Sequence, residues 1–507
     1  MLLDPQLLER LSKEKYTAIL TVVAGFTAIL ATKWLFTAPD KRNYVTLPAG
    51  PFSYLKGQLR YLLHADDMIR EGIAQYGENT PFWLPSMIGP MLLAPRYLMN
   101  EIKNHPHLSF AHFLKATFSG KHTGMGEPFA DPQYIGIIKG KLTKALNSFT
   151  PEIEEEIIEA LKDRIPLDEE WTPHIAFPGF CQSIVARSSA RIFIGAELCR
   201  DQRWLHIATR YTAQMVGVTL FLKLWPEFLK PFSKYLSPSW WRAAAMYSRA
   251  RILIAEVVTK RQKELASAGS EAPPRMDGIQ WALDLGMDLE RMTEFEITMA
   301  IASVHNTAVA LTQLVLDLCE RREYIQILRE EIREVLGDGP ARNNKGINGL
   351  QKMDSFLKES QRTSPPQHAT MQRRAMKDIE FSDGTKLKKG EFVMFDSDSV
   401  LSDARYYENP EVFDGLRFYN LRQHAENEAT AQYANTNEQF FVFGNGKSAC
   451  PGRFFAGHEL KLILVYLLRM YDFKFPDGQT KRPANLHYED IIIPAKGQQI
   501  LFRRRRV

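Results

Sequence analysis

The sequence predicts a mainly α-helical protein with small β-sheets, preceded by a single N-terminal transmembrane helix. Three observations lead to this fold class. Helical periodicity dominates the 507 residues, strand-like segments are few and short, and one uncharged apolar run lies near the N-terminus. Apolar residues that recur every three to four positions indicate a helix with one buried face.

The apolar run covers residues 16–32 and resumes as Trp34-Leu35-Phe36 after Lys33. At about 1.5 Å per residue, its length is close to the minimum that spans a bilayer. Aromatic residues at both ends are typical of membrane interfaces. We therefore expect residues 1–38 to form a membrane anchor. A buried core helix is the alternative, whereas a cleaved signal peptide is disfavoured because no clear small-residue cleavage site follows.

Residues 39–51 follow the anchor and contain Pro39, Pro48 and Pro51. Proline fixes the backbone, so this segment is predicted to be a stiff linker. No later linker is long enough to separate domains, and residues 266–277 are typical of a surface loop between helices. Residues 52–507 are therefore predicted to form one domain.

Within that domain, the period of the apolar residues places the secondary structure. The predicted helices cover residues 151–161, 204–217, 243–267, 292–322, 324–336 and 457–470. The predicted strands are shorter and cover residues 392–395, 491–493 and 499–502.

Composition and charge exclude several classes of protein. The chain is 45% hydrophobic and 24% charged, which is ordinary for a globular protein. Its net charge of +5 is too small to indicate nucleic-acid binding. None of the four cysteines belongs to a C-x-x-C pair, which argues against a zinc ribbon or a disulfide scaffold.

The glycine-rich stretch FGNGKSACPG, residues 443–452, is the most informative motif of the chain. Cys450 stands near its end, just before a predicted helix. A thiolate there can accept backbone N–H groups and lies at the positive end of the helix dipole. Such a thiolate suits haem iron, where it favours O–O bond cleavage. An ordinary buried thiol is the alternative, and a phosphate-binding loop is disfavoured because Phe441 stands where that motif needs a glycine.

The stretch resembles the haem-binding signature of the cytochrome P450 family. The resemblance implies that Cys450 is the axial ligand of haem iron and that Phe443 packs beneath the haem. It also implies that Gly446 allows the tight turn and that Gly452 gives room for the start of the helix. The family usually carries an arginine or histidine, paired with a haem propionate, where Ser448 stands here.

A second motif agrees with this resemblance. Glu359 and Arg362 are spaced i, i+3 and share one face of a helix, which Pro365-Pro366 ends. Alone, such a pair is usually a surface ion pair. Its position about ninety residues before the cysteine resembles the family pattern, which implies a buried structural cluster that Arg417 completes.

The centre of the long predicted helix at residues 292–322 reads ASVHNT from Ala302. The resemblance places this helix over the distal face of the haem. His305 replaces the family's usual acid, and Asn306 replaces its usual threonine, with Thr307 next. Three interpretations stay open: Thr307 handles protons, Asn306 does so with a water, or the protein rearranges an oxidised substrate. For His305, a helix-internal hydrogen bond without a proton role is the alternative.

The resemblance also implies cationic partners for the haem propionates. Lys139 or Lys141 is the candidate on one segment, and Arg373 or Arg374 on another. Lys447 is a further candidate because Ser448 is uncharged. Each of these residues could equally be solvated.

Residues 216–241 are rich in bulky apolar side chains. They are either part of a helix core or a lipid-dipping lid over a hydrophobic channel. Residues 366–369 are a candidate second wall of that channel. Both segments favour an apolar substrate.

Three further segments resemble the fungal secondary-metabolism members of the family: residues 302–305, 277–284 and 453–456. Such members act on terpenoids, indole-diterpenes and related alkaloids. The resemblance implies the cytochrome P450 fold and a haem-thiolate monooxygenase domain over residues 52–507. It further implies the use of O2 and of electrons that a separate NADPH–cytochrome P450 reductase takes from NADPH.

The resemblance implies a location in the endoplasmic reticulum membrane, with one membrane span and a cytosolic catalytic domain. Two other functions stay open. One is a haem-thiolate isomerase or dehydratase that needs no reductase, which Asn306 motivates. The other is a non-enzymatic haem- or lipid-binding protein.

Overall fold

The computed structural model describes Gly25 and residues 42–45, 53–166, 170–172, 175–268, 275–341 and 344–506. Apart from Gly25, the predicted anchor at residues 1–38 lies outside the described residues. So does the predicted linker at residues 39–51, except for residues 42–45.

The described part of the chain is mainly helical, as the sequence predicts. Its longer helices are Ser53–Tyr76 (α1), Phe110–Thr117 (α2), Leu146–Lys162 (α3), Phe177–Phe193 (α4), Gln202–Lys223 (α5), Pro238–Ala268 (α6), Leu289–Glu320 (α7), Glu323–Leu336 (α8), Gln351–Thr363 (α9) and Arg453–Met470 (α10). Shorter helices are Met99–Ile102, Gly120–Thr123, Pro132–Gly136, Lys230–Ser233, Gly278–Asp284, Asn344–Gly349, Asp398–Leu401 and Arg417–Arg422. A π-helical segment covers Ile137–Leu142.

The strands are short and form small sheets. They are Phe82–Ser86 (β1), Gly89–Leu93 (β2), Leu108–Ser109 (β3), Ile175–Ala176 (β4), Ala369–Ala375 (β5), Ile379–Glu380 (β6), Lys386–Leu387 (β7), Phe392–Asp396 (β8), Tyr471–Lys474 (β9), Leu486–Tyr488 (β10), Ile491–Ile493 (β11) and Gln499–Arg504 (β12). The largest sheet has the order β1-β2-β8-β5-β3, and a second has the order β4-β12-β9. Two hairpins, β6–β7 and β10–β11, complete the set in the described ranges.

Each predicted helix is present, with shifted ends. Helix α3 begins at Leu146 and runs through Pro151, where the sequence predicts its start. Helix α5 begins after Asp201, whose side chain accepts a hydrogen bond from the N–H of Arg203 and caps the helix. Helices α1, α2 and α4 are absent from the sequence prediction. In α4 the buried positions include Ser188 and Ser189, and polar residues at buried positions interrupt the apolar period that indicates a helix.

Helix α7 lies at the centre of the helical core and packs against α4, α5 and α6. It is also the one helix within the described ranges that is long and apolar enough to cross a membrane. Neighbouring elements bury 56% of its most apolar window, as expected of a core helix. Its middle therefore contacts protein or an internal space.

Candidate active site

The cysteine loop lies directly before α10 and is held by its own backbone. The N–H of Cys450 donates to the carbonyl of Phe443 over 2.8 Å, and the N–H of Gly444 donates to Phe441 over the same distance. Gly444 and Gly446 have φ values of +72° and +74°, a region that favours glycine. A Cβ on Gly446 would also lie 2.6 Å from the side-chain oxygen of Asn104. The loop therefore needs its glycines to turn.

Gly452 differs from the other two glycines. Its φ is −89°, which any residue adopts. A Cβ on Gly452 would meet no protein atom within 4 Å. Nothing in the described protein itself therefore requires glycine at this position.

Cys450 is exposed, whereas Cys181, Cys199 and Cys319 are buried. Protein atoms nevertheless surround its thiol closely enough that burial raises its pKa. Both observations are explained if the sulfur faces an internal space that protein atoms surround. Hydrogen bonds from the backbone N–H groups of Gly452 and Arg453, with the Arg453 charge, act in the other direction and lower the pKa. These groups favour a thiolate at the start of α10.

Arg373 provides an independent test of whether the site fits a haem. Its side chain is buried, at 2% relative exposure. One guanidinium nitrogen donates to the carbonyl of Gln372 over 2.8 Å, while Nη2 has no partner among the described residues. Burial lowers its pKa to about 10. A buried, unpaired guanidinium calls for an anion, and a haem propionate is such an anion, so the residues present fit a haem.

Arg374 lies next to Arg373 but has a different environment. It is half-buried, its Nε donates to the carbonyl of Gly390 over 3.3 Å, and its guanidinium lies 5.6 Å from the ring of Phe392. Successive side chains of a strand point to opposite faces of the sheet, which explains why the two arginines of β5 have different surroundings.

The three predicted lysine partners have different surroundings. Lys139 is exposed on the π-helical segment. Lys141 forms an ion pair with Asp284 at 2.9 Å. Lys447 is exposed, and its Nζ lies 3.5 Å from the carbonyl oxygen of His105. Their roles toward a propionate stay predictions.

Phe443 packs its half-buried ring against the main core. It meets the ring of Tyr433 edge-on, with centroids 5.4 Å apart. Burial raises the pKa of Tyr433, and the charges of Asp354 and Cys450 add to this effect. Tyr433 therefore lies near the cysteine, although no sequence signal points to it.

Glu359, Arg362 and Arg417 form one buried cluster. Arg362 donates to both carboxylate oxygens of Glu359 over 2.8 Å. The Nε of Arg417 donates to the same oxygens over 3.2 and 3.3 Å. Arg362 also donates to the carbonyls of Leu401 and Pro410. Losing one member of such a cluster would leave a buried charge unpaired, at a cost of about 3–5 kcal/mol.

Ala302 and Asn306 are exposed in the middle of α7, although Val304, Thr307 and Ala308 beside them are buried. Residues four apart lie on the same helix face. Since the helix runs through the core, this face opens onto an internal space. Asn306 therefore presents its amide to that space, whereas Thr307 is packed.

His305 points away from the open face of α7. Its Nδ1 lies 3.2 Å from the side-chain nitrogen of Gln182 on α4. Its Nε2 is buried without a partner in the described structure. Burial lowers the pKa of His305, which favours the neutral ring. The structure therefore places His305 in contact with another helix, and the helix-internal hydrogen bond that the sequence offered as the alternative is wrong about the partner.

The segment at residues 216–241 joins the end of α5 to the start of α6 and lies at the surface. Several of its large apolar side chains point outward: Leu224, Phe228, Phe232, Tyr235, Leu236 and Trp241. Polar contacts tie it to the rest of the protein. Glu227 accepts a hydrogen bond from the ring of His122 over 2.8 Å, and Lys223 pairs with Glu489 at 3.1 Å. We call residues 224–241 the lid.

Comparison with known proteins places these features in a family. A family model described as Cytochrome P450 matches residues 138–502. Cytochrome P450 monooxygenase AN1598 of Emericella nidulans is 32% identical over 454 residues, covering 88% of this chain and 84% of the relative. Cytochrome P450 monooxygenase braC of Annulohypoxylon truncatum is 31% identical over 505 residues, covering 96% and 98%. Cytochrome P450 monooxygenase TRI1 of Fusarium sporotrichioides is 34% identical over 443 residues, covering 86% and 80%.

Two solved structures support the fold alone. The crystal structure of the cytochrome P450DA heme domain superposes with a TM-score of 0.68 at 18% identity, covering 91% of this chain and 97% of the solved chain. The retinoic acid-bound cyanobacterial CYP120A1 superposes with a TM-score of 0.63 at 15% identity, covering 88% and 96%. The arrangement of helices and small sheets is thus that of known structures.

Proposed function

The chain belongs to the cytochrome P450 family of haem-thiolate oxidoreductases, and from this premise we propose that it oxidises a hydrophobic fungal secondary metabolite. The substrate class is terpenoid or indole-diterpene and alkaloid-like. In the proposed reaction, substrate R–H, O2, NADPH and one proton give R–OH, water and NADP+. One observation carries this proposal: Cys450 is accessible at the start of α10, where the N–H groups of Gly452 and Arg453 hold its sulfur.

The protein contributes positioning and charge, and the bound haem supplies the activation of O2. Cys450 ligates the iron as a thiolate because two backbone N–H groups and the dipole of α10 stabilise the anion. Arg373 binds a propionate through its unpaired Nη2. The cluster of Glu359, Arg362 and Arg417 fixes the segments behind the loop.

We assign the transfer of protons to Asn306 together with a water that it holds. Its exposed position on α7 supports this reading over one in which Thr307 takes part directly. The Oδ1 of Asn306 accepts a hydrogen bond from the water and its Nδ2 donates one. A water held in this way would carry a proton at the open face of α7. His305 takes no direct part because it contacts Gln182 instead.

The two electrons come from NADPH through a separate NADPH–cytochrome P450 reductase. The family model covers residues 138–502, and this domain would receive its electrons from the docked reductase.

Exposed apolar side chains support attachment to a membrane. Besides the lid, α1 exposes Leu59 and Leu63, and the β10–β11 hairpin exposes Leu486 and Ile491. The hairpin turn lies against α1 through a backbone hydrogen bond from Glu489 to Leu62 and reaches α5 through Lys223. Three neighbouring segments thus present apolar groups. We assign the protein to the endoplasmic reticulum membrane, with one span and a cytosolic catalytic domain.

The proposal is tested by the carbon monoxide difference spectrum of reduced membranes, followed by turnover with a reductase. Wild type and the control Cys319→Ala are expected to show a strongly red-shifted Soret band, and Cys450→Ala is expected to lack it. With NADPH, reductase and a terpenoid or indole-diterpene panel, wild type is expected to form a hydroxylated product. A band that persists in Cys450→Ala excludes Cys450 as the ligand.

A haem-thiolate isomerase is the second candidate, because Asn306 rather than a threonine faces the open side of α7. Such an enzyme rearranges a substrate that is already oxidised and consumes no NADPH. Turnover of a hydroperoxide or endoperoxide substrate without reductase, together with no hydroxylation when reductase is present, would favour it over the monooxygenase.

A further inference from the structure

A cluster of titratable side chains lies where α1, the β10–β11 hairpin and the start of β5 meet. Asp66, His368 and His487 each offer one ligand atom, and all these atoms lie within 4.8 Å of one another. The three residues come from segments far apart in the sequence. The described structure has no other group of three such residues, and neither the cysteine loop nor α7 contributes to it.

His368 is the fixed member of the cluster. Its ring is buried, at 4% relative exposure, and its Nδ1 is hydrogen-bonded to the carboxylate of Asp398. A carboxylate only accepts, so Nδ1 of His368 carries a proton. A carboxylate behind a histidine is the usual outer partner of a metal-ligating ring. The other ring nitrogen, Nε2, points to His487.

His487 faces His368 with its Nδ1, 2.7 Å from the Nε2 of His368. The ring planes differ by only 12°, and the centroids are 4.9 Å apart. Nitrogens this close cannot belong to rings stacked face to face, so the rings lie edge to edge. Two lone pairs would repel, so one proton lies between the Nε2 of His368 and the Nδ1 of His487.

Asp66 supplies negative charge beside the ring pair. Its Oδ2 lies 4.0 Å from the Nδ1 of His487 and accepts a hydrogen bond from Arg70 over 3.1 Å. Arg70 is exposed and also donates to Asp67 over 2.6 Å. Arg70 can therefore keep its hydrogen bond to Asp67 when Asp66 binds another cation. Together with Asp398, two carboxylates flank two imidazoles.

We propose that Asp66, His368 and His487 form a binding site for a divalent transition-metal ion such as Zn²⁺, which displaces the proton shared by the two rings. Two imidazoles and a carboxylate match the donors that zinc prefers, and water would complete the site. With Zn–N distances of about 2.0–2.1 Å, the ring nitrogens would separate to roughly 3.3 Å. His487 can make this move because it is exposed on a hairpin, while Asp398 keeps His368 in place.

The bound ion would join α1 to the hairpin and to β5. The turn of the same hairpin carries Glu489, which pairs with Lys223 at the end of α5. The ion would thus fix a connection that runs from α1 to the base of the lid. It is a structural tie, separate from the haem.

The test is calorimetric titration of the full-length, haem-loaded, tag-free protein with ZnCl2 after treatment with a chelator. Wild type is expected to bind one equivalent of Zn²⁺. His487→Gln is expected to bind at least about tenfold more weakly. Asp398→Asn, which alters only the outer partner of His368, is expected to lose about 10- to 100-fold.

His206→Gln is the matched control, since His206 is exposed on α5 outside the cluster. It is expected to bind like wild type. An unchanged haem spectrum shows that each variant is folded, and Asp66→Asn serves as a second ligand variant. The proposal is overturned if wild type binds no Zn²⁺, or if His487→Gln and Asp66→Asn both bind as tightly as wild type.

Discussion

Asn306 and Arg373 show how much depends on the direction of single side chains. Asn306 is exposed on α7 while its neighbour Thr307 is buried. Arg373 keeps an unpaired, buried Nη2 while its neighbour Arg374 bonds to Gly390. In both pairs the sequence offers two adjacent candidates. The local backbone decides which of them can reach a haem or its oxygen.

Asn306→Ala is expected to uncouple the enzyme, because the water that Asn306 holds would lose its partner. Product formed per NADPH should fall several-fold, with the remainder appearing as hydrogen peroxide or water. Thr307→Ala should change this ratio less, and Asn306→Thr should restore most of the coupling because a hydroxyl can hold the same water. The measurement is product and peroxide per NADPH consumed. Full coupling in Asn306→Ala would show that this residue does not manage the proton.

Where two elements pack together, buried polar groups find partners that the sequence does not predict. Helix α10 inserts Glu459 between Ser188 and Ser189 of α4, which donate to one of its oxygens over 2.6 and 2.9 Å. Its other oxygen is buried without a partner in the described structure. Burial raises the pKa of Glu459 from 4.5 to about 7. The packing of α10 on α4 therefore favours the protonated acid.

A pH dependence of stability follows from this contact. Because the folded pKa is raised, the native state binds a proton that the unfolded state releases. The stabilisation is fully present below about pH 4.5 and is lost as the pH rises through about 7. The free energy of unfolding of Glu459→Gln, taken relative to that of wild type, should therefore be higher at pH 8 than at pH 5. Glu334→Gln, an exposed change on α8, should show no such difference. Equal pH dependence in all three proteins would contradict this account.

At the scale of the whole molecule, the apolar surface is unevenly distributed. Exposed apolar side chains concentrate on the lid, the early part of α1 and the β10–β11 hairpin. The hairpin contacts α1 through Leu62 and reaches the end of α5, just before the lid, through Lys223. Exposed apolar groups on neighbouring segments are typical of protein–protein or membrane contacts.

The lid is expected to enter the lipid in the full-length protein. Phe228 and Phe232, each 73% exposed, would lose this contact in the double variant Phe228→Asp and Phe232→Asp. Lipids with brominated acyl chains should quench tryptophan fluorescence less in the variant, because Trp241 of the lid then stays in water. Leu265→Asp, a similarly exposed site at the far end of α6, is the control. Equal quenching in all three proteins would mean that the lid stays outside the membrane.

The sequence by itself determined the local features of this protein. The period of apolar residues is a property of one segment, so it predicted helices α3, α5, α6, α7, α8 and α10. The cysteine loop and the Glu359–Arg362 pair were recognisable because their residue types stand at fixed spacings. Helix α4 was not predicted because Ser188 and Ser189, which bond to Glu459, occupy buried positions in it and interrupt that period.

Only the tertiary structure decided which distant groups meet. The alternating faces of β5 bury Arg373 and leave Arg374 beside Gly390, and the packing of α7 on α4 brings His305 to Gln182. The association of His368 with His487 depends on three segments that the fold brings together. Hydrogen bonds and charges act over a few ångströms in space, whatever the separation along the chain, and the chain order alone does not fix those distances.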